Sequence, residues 1–412
     1  MAHIKTEPPA TGTFAPSTGQ ADSAPARLSG WQLLGWAAFL ACSWTWVIGM
    51  VLPALLVRDH GLAGWLALAV PNVIGAAAVG FCWNRKTSWA FVTRHADLMR
   101  VFAVVTVAFQ LYVAAWLLPR LVGMAGVVAA PIIVGLVVIP AGLRLAGGRA
   151  AGLATLLASV ACAVAFLLTA EVPTPVVLDG PVLGLLGLAA VCAVGFGFCP
   201  QLDLTFHYAC QSIARDRDRR AAFVFGFGVL FLAMILFTLL YGSALLSAGE
   251  LSRNVAVVLA IHLTVQLAFT ARMQGQALRH TTGRLVAEAA LAPPAAARTF
   301  HRWNLALLAG TQVGFTLGLL ALAFDFNVFA GLSFGEIGYR LFLGFYGLVF
   351  PAMLAVSLAR GRFDRQAVAT AAITIVVALP FFAYAFVWRD MAWSLAGVVV
   401  LAAGVGVARV RR

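Results

Sequence analysis

Residues 195–211 read GFGFCPQLDLTFHYACQ, and they follow a run from Pro181 to Val194 that carries no charge. Ionisable side chains inside an apolar run are costly in lipid and mark a functional site by default. Asp203 and His207 are spaced i, i+4, so a helix would place them on one face, with Gln211 a turn further on. Asp203 there suits a substrate amine, a cation or a coupling proton, and His207 suits tuning or relaying that proton. The competing reading is a structural Asp–His pair near the Arg215–Arg220 cluster. Pro200 lacks an N–H and crowds the carbonyl four residues back, and Gly195 and Gly197 lower the cost of leaving helical geometry. Carbonyls freed near residue 196 would need partners or a water-lined cavity, and they can hold a cation. The simpler alternative is a proline kink.

A second constellation lies in 251–273 and just beyond. His262, Gln266, Thr270 and Gln274 recur every four residues and form one polar stripe, with Thr264 off it. Four polar residues in register turn toward protein or water rather than lipid, for a binding site or for interhelical hydrogen bonds. Thr106 and Gln110 share a face, with Tyr112 close by. Glu336 and Arg340 form an i, i+4 pair near a segment end, either a gate that breaks and reforms or a static ion pair. Trp44 and Trp46 flank Thr45 and suit covering an organic solute by stacking or cation–π contact; packing is the commoner use of such rings. The histidines make no HxxxH or HExxH set, and the glycines at Gly226 follow no strand, so neither zinc-hydrolase nor phosphate-loop chemistry is expected.

These groups have to be held by membrane helices. Of 412 residues, 62% are hydrophobic and 10% charged, against about half and a quarter in a soluble domain. Twelve apolar segments follow one another, at 31–57, 61–83, 98–118, 124–143, 150–170, 181–212, 221–246, 251–273, 303–324, 334–359, 366–387 and 391–408, each near the length that crosses a bilayer. With the N-terminus inside, the inner segments carry 23 of the 28 Lys and Arg residues, the outer loops carry four, and Arg340 lies within a span. Every inner segment exceeds its outer neighbours, which predicts twelve spans with both ends inside. The net charge of +13 is therefore assigned to cytoplasmic loops, and no nucleic-acid partner is expected. The six cysteines lie in apolar runs without CxxC spacing, which excludes a disulfide framework or a zinc ribbon. Residues 1–29 read as a disordered cytoplasmic tail, and the longest loop is expected at about 274–302.

Set against each other, the first ten segments form two sets of five with opposite topology. The first segment of each set is interrupted by polar residues, glycine and proline: CSWTWVIGMVLP in one and GFGFCPQLD in the other. Interruptions at corresponding positions point to a transporter binding site. On these features residues 31–359 resemble the amino acid–polyamine–organocation superfamily, with its LeuT-like 5+5 inverted repeat. The resemblance implies a first repeat at 30–170, an inverted second repeat at 171–359, and two appended helices with a basic tail at 360–412. It implies a secondary active transporter of the inner (cytoplasmic) membrane that moves a small solute by alternating access, driven by Na+ or H+ and needing no other cofactor. Substrate contacts would come from Trp44, Thr45, Gln110, Tyr112, Gly197, Asp203, His262 and Gln266. Ion coupling would fall to Asp203, His207, Thr264 and Thr270, and gating to Glu336 and Arg340. The carboxylate favours a cationic or zwitterionic solute. Alternative readings are a non-transporting sensor or assembly protein on the same scaffold, and an intramembrane metal-dependent enzyme built on Asp203, His207 and His262.

Overall fold

A computed structural model describes residues 27–138, 147–170, 181–246, 251–324, 326–329 and 331–410. The expected tail therefore lies almost wholly outside the described residues. The chain is an all-helical polytopic membrane protein: among the described residues, ten helical stretches are long and apolar enough to cross a membrane. Their outward faces carry large apolar side chains, such as Leu157, Val160, Val164 and Leu168 on one helix and Ile373, Val376 and Val377 on another. Water would penalise so much exposed apolar surface, whereas lipid does not.

The helices are α1 (Gly30–Trp44), α2 (Val47–Cys82), α3 (Arg85–Val122), α4 (Met124–Val138), α5 (Gly148–Thr169), α6 (Val182–Phe198), α7 (Leu204–Ser212), α8 (Asp216–Phe225), α9 (Leu232–Leu246), α10 (Arg253–Glu288), α11 (Pro293–Ala323), α12 (Phe334–Gly344), α13 (Phe350–Arg360), α14 (Arg365–Val387) and α15 (Trp393–Val410). A short antiparallel hairpin, β1 (Asn327–Phe329) with β2 (Leu332–Ser333), joins α11 to α12. Wide π-helical turns connect α8 to α9 at Gly226–Phe231 and α12 to α13 at Phe345–Val349.

Two boundaries differ from the sequence reading, while the first two segments divide where it places them. The interruption at Thr45–Trp46 falls inside the first segment, and the division between 31–57 and 61–83 falls at Gly61, where a φ of 62° and ψ of −160° separate the two helical halves of α2. Only glycine takes that backbone region cheaply. The long loop expected at about 274–302 is almost entirely helix. α10 continues to Glu288, α11 starts at Pro293, and only residues 289–292 connect them. This extension is amphipathic, so an apolar window does not register it; Arg284 pairs with Glu288 at i, i+4, and Arg279 reaches Asn304 of α11. Likewise α3 begins at Arg85, thirteen residues before its apolar run, under a capping box on Asn84, and bends at His95.

α3 and α10 occupy the middle of the bundle. α3 packs along α11, α10 and α4, and α10 also packs on α5 and α1. Close approach requires glycine at some of these contacts: a Cβ on Gly314 would run into the Ala108 carbonyl oxygen, so α11 and α3 touch backbone to backbone there. α1 packs on α10, and α7, which follows α6, packs on both α3 and α10.

Candidate functional site

Both interruptions are real departures from helix, and each is sealed by side chains. At the end of α1, Thr45 has ψ 77° and Trp46 is extended. A helix end leaves carbonyls without partners, which lipid cannot supply. Thr45 Oγ1 donates to the Ala41 carbonyl at 2.9 Å, Ser43 Oγ to that of Leu40 at 3.0 Å, and Thr270 Oγ1, from α10, to that of Cys42 at 3.1 Å. At the second interruption, Cys199–Leu202 tighten into a 3₁₀ turn containing Pro200, and Asp203 is extended with ψ 113°. α7 then restarts with Asp203 as its N-cap. The break therefore falls at 199–203, a few residues after the predicted carbonyls near 196.

Asp203 is completely buried among neutral donors. Its Oδ1 accepts from the Thr205 amide at 2.7 Å and from Thr205 Oγ1 at 2.6 Å; its Oδ2 accepts from Gln274 Nε2 of α10 at 2.8 Å. Thr205 Oγ1 also lies 3.2 Å from Ser43 Oγ, which ties the second break to the first. On the other side of the α1 end, Gln266 Nε2 donates to Ser159 Oγ of α5 at 2.8 Å and lies 3.2 Å from Met234 Sδ. Thr45 Oγ1 touches the same sulfur at 3.5 Å. One buried polar cluster thus gathers Thr45, Asp203, Gln266 and Thr270 from the expected residues. It adds Ser43, Ser159, Thr205 and Gln274.

Other expected residues lie apart. The His207 ring does not pair with the Asp203 carboxylate. The Asp203 carbonyl accepts the His207 N–H at 3.3 Å, but as N-cap of α7 Asp203 folds its carboxylate back onto the Thr205 amide, so the i, i+4 spacing does not pair the side chains. Instead His207 Nδ1 meets Ser88 Oγ at 2.9 Å, Nε2 meets the Gln201 carbonyl at 2.9 Å, and the ring stacks on Phe91. A neutral imidazole with its proton on Nε2 satisfies both contacts. Gln211 donates to Ser88 and accepts from Arg284. His262 sits edge-on to Phe237 and Tyr241, with Nδ1 unpartnered. Gln110 is fully buried, and neither amide atom has a partner. Tyr112 donates to the Gly335 carbonyl at 2.7 Å. Thr264 is half-buried, and Gly197 is exposed on the outer face of α6, away from the cluster. Among the described residues no three His, Cys, Asp or Glu side chains are grouped to hold a metal ion.

A cavity of about 60 Å³ opens beside the α1 break, between α2, α6 and α12. Trp44, Trp46, Phe196 and Tyr346 wall it, with Cys199 below and Arg340 above. Trp44 and Trp46 pack edge to face at 4.7 Å, Tyr346 packs on Trp46 at 5.1 Å, and its hydroxyl meets Thr106 at 3.2 Å. Trp44 Nε1 donates to Asn72 Oδ1 at 2.7 Å, which fixes that ring. Asp203 is not in the cavity wall.

At the end assigned to the outside by the Lys/Arg distribution, Glu336 and Arg340 belong to a larger ion cluster. Arg58 of α2 grips Glu336 through Nη1 at 2.9 Å and Nη2 at 2.5 Å. Arg340 bonds Glu336 through Nε at 2.9 Å and Nη2 at 2.7 Å, reaches Asp59 of α2, and donates to the Phe386 carbonyl at 3.1 Å. Arg389 lies 3.7 Å from Asp59. Sequence spacing found the Glu336–Arg340 pair. It missed Arg58 and Asp59, whose only signal is two adjacent charges at the end of an apolar run. Comparison with protein-family models and with curated proteins returned no match.

Proposed function

We propose that this chain is an ion-coupled secondary transporter working by alternating access, with twelve spans and a LeuT-like pair of inverted five-helix repeats. The observation that carries the proposal is the pairing of the two breaks, at Thr45–Trp46 and at Cys199–Asp203, joined by the Thr205–Ser43 contact around a buried carboxylate. Broken helices in a bilayer are stable only where protein or water satisfies their backbone, and transporters place such breaks at the solute and ion sites. In this reading α1 and the first half of α2 form the first span, α6 and α7 form the sixth, and both termini are cytoplasmic.

The solute occupies the aromatic cavity beside the breaks. At about 60 Å³ it is far smaller than the roughly 300–1,000 Å³ of an occupied small-molecule pocket. This conformation is the occluded one, and solute entry widens the cavity. The outer ion cluster closes the route above it, with Arg58–Glu336 and Asp59–Arg340 crossing between the two halves. Asp203 serves the coupling ion. Asp203 lies outside the cavity wall, so support for a cationic or zwitterionic solute comes from the aromatic lining, through stacking or cation–π contact, and not from the carboxylate.

The test is flux in proteoliposomes of the full chain, with a panel of labelled small solutes and an imposed proton or sodium gradient. Uptake against a gradient is expected, and Asp203→Asn removes accumulation while leaving downhill exchange. No solute moving under either gradient refutes the proposal.

A further inference from the structure

Asp203 is surrounded in a way that distinguishes between a metal cation and a proton. Three donors reach its carboxylate, and all are neutral protein groups: the Thr205 amide and hydroxyl on Oδ1, and the Gln274 amide on Oδ2. A sodium ion needs several acceptor oxygens turned toward it. Here the side chains turn hydrogens toward the carboxylate instead. Gln274 is the clearest case, because its oxygen is the atom directed elsewhere: Oε1 is buried and has no hydrogen-bond partner. An unpartnered buried acceptor costs free energy, so its presence asks for a second state in which it is used.

We propose that Asp203 and Gln274 form a proton-binding pair in which protonation of Asp203 Oδ2 turns the Gln274 amide over. This deepens the transport reading by naming the coupling ion, and in that respect rests on it. Oδ1 is committed as the cap of α7, so Oδ2, with one donor, is the oxygen free to take a proton. When a proton arrives from water, Oδ2–H and Gln274 N–H are two donors face to face. Rotating the amide by half a turn replaces that clash with an Oδ2–H to Oε1 bond. The orphaned acceptor gains its partner, and the amide presents a donor where it presented an acceptor. The proton leaves to water on the other side, and the amide returns.

The switch is connected to the first break. Thr205 Oγ1 lies 2.6 Å from Asp203 Oδ1 and 3.2 Å from Ser43 Oγ, and Ser43 is one residue from the end of α1. With the carboxylate charged, the Thr205 hydroxyl hydrogen is held on Oδ1. With the carboxylate neutral, that hold weakens and the hydrogen is free to turn to Ser43. The elements packed around Asp203 carry Cys42 on α1, His95, Asp97 and Arg100 on α3, His262, Arg272, Arg279 and His280 on α10, and Tyr346 on the π-helical turn; its own segment carries Cys199, His207, Tyr208 and Cys210, and His207 and Tyr346 are tied to Ser88 and Thr106. Among the described residues, no Lys, Arg or second carboxylate is hydrogen-bonded or ion-paired to Asp203.

Infrared difference spectroscopy tests this on the full chain in lipid nanodiscs, in sodium-free buffer. Lowering the pH is expected to raise the carbonyl stretch of a protonated carboxylic acid together with a change in a glutamine amide band. Asp203→Asn removes the acid band, Asp203→Glu moves it, and Gln274→Leu shifts its frequency and abolishes the amide change. Adding sodium chloride in place of choline chloride leaves all bands unaltered. An Asp203 that stays charged over the whole pH range in which the chain remains folded overturns the proposal. So does sodium displacing the acid band, which marks a cation ligand. A titrating band without flux in any gradient removes the transport reading and leaves this one; sodium-driven flux with a permanently charged Asp203 does the reverse.

Discussion

Arg340→Gln is expected to open the cavity from the outer side. Arg340 is buried and contacts Asp59, whose side chain is 2% exposed, across the boundary between α12 and α2. Removing one partner of a buried ion pair costs about 3–5 kcal/mol. Part of this is recovered, because Asp59 keeps Arg58 Nε at 2.8 Å on its own helix. Assigning about 2 kcal/mol to the contact that crosses the halves, and taking 1.4 kcal/mol per factor of ten, the open-to-closed ratio rises about 30-fold. The chain carries its own reporters. Cys192 and Cys199 line the cavity and are buried, whereas Cys82 is exposed and is removed as Cys82→Ser to lower background. A membrane-impermeant thiol reagent, with site-resolved mass spectrometry, should modify Cys192 and Cys199 about 30 times faster in the variant. The buried Cys162 and Cys210 lie away from the cavity and serve as controls. Unchanged rates at Cys192 and Cys199 refute the reasoning. Equal acceleration at Cys162 and Cys210 also refutes it, because it marks general loosening rather than a gate.

Gly314→Ala should lower the thermal unfolding temperature in detergent by the equivalent of about 1–3 kcal/mol, because the new methyl would meet the Ala108 backbone oxygen and overpacking there cannot relax cheaply. Tyr339→Phe removes the hydroxyl that donates to the Val47 carbonyl at 2.9 Å, next to the α1 break; a loss of about 1 kcal/mol in the same assay is expected. Asp364, between α13 and α14, is held below the usual carboxylate range by the backbone N–H of Ala367, with Arg360 and Arg362 adding to it. A depressed folded-state value means that its contribution is present above about pH 4 and is lost as the pH falls through the folded value. The difference in unfolding temperature between wild type and Asp364→Ala should therefore shrink as the pH is lowered from 7 through that range.

The membrane class and the two interruptions were legible because they depend on local composition: a run of apolar residues, or a proline and glycines beside an aspartate. The stripe at His262, Gln266, Thr270 and Gln274 was legible for the same reason, since helical spacing alone puts them on one face. All four are buried, although only the last three join the cluster at the α1 end. What sequence spacing could not supply was the geometry created by the break itself. Counting Asp203 and His207 as i, i+4 assumes one continuous helix, whereas Asp203, as N-cap of α7, folds its carboxylate back onto the Thr205 amide and leaves the His207 ring to Ser88. Ser43, Ser159 and Thr205 carry no signal in isolation; they matter because three separate helices bring them to one point. Arg58 and Asp59 were hidden similarly, because their partners are far along the chain and only the approach of α2 to α12 pairs them.

The central claim is that the two breaks form a pathway open to one side of the membrane at a time. The most direct measurement is labelling from each side of reconstituted vesicles, with the native Cys199 reporting the cavity and Ser43→Cys reporting the inner face of the α1 break. Each is read in a background without the other cysteines, with and without Arg340→Gln. The account predicts reciprocal change: Arg340→Gln raises labelling of Cys199 from outside and lowers labelling of position 43 from inside. Labelling that rises at both positions together, or at neither, would contradict it.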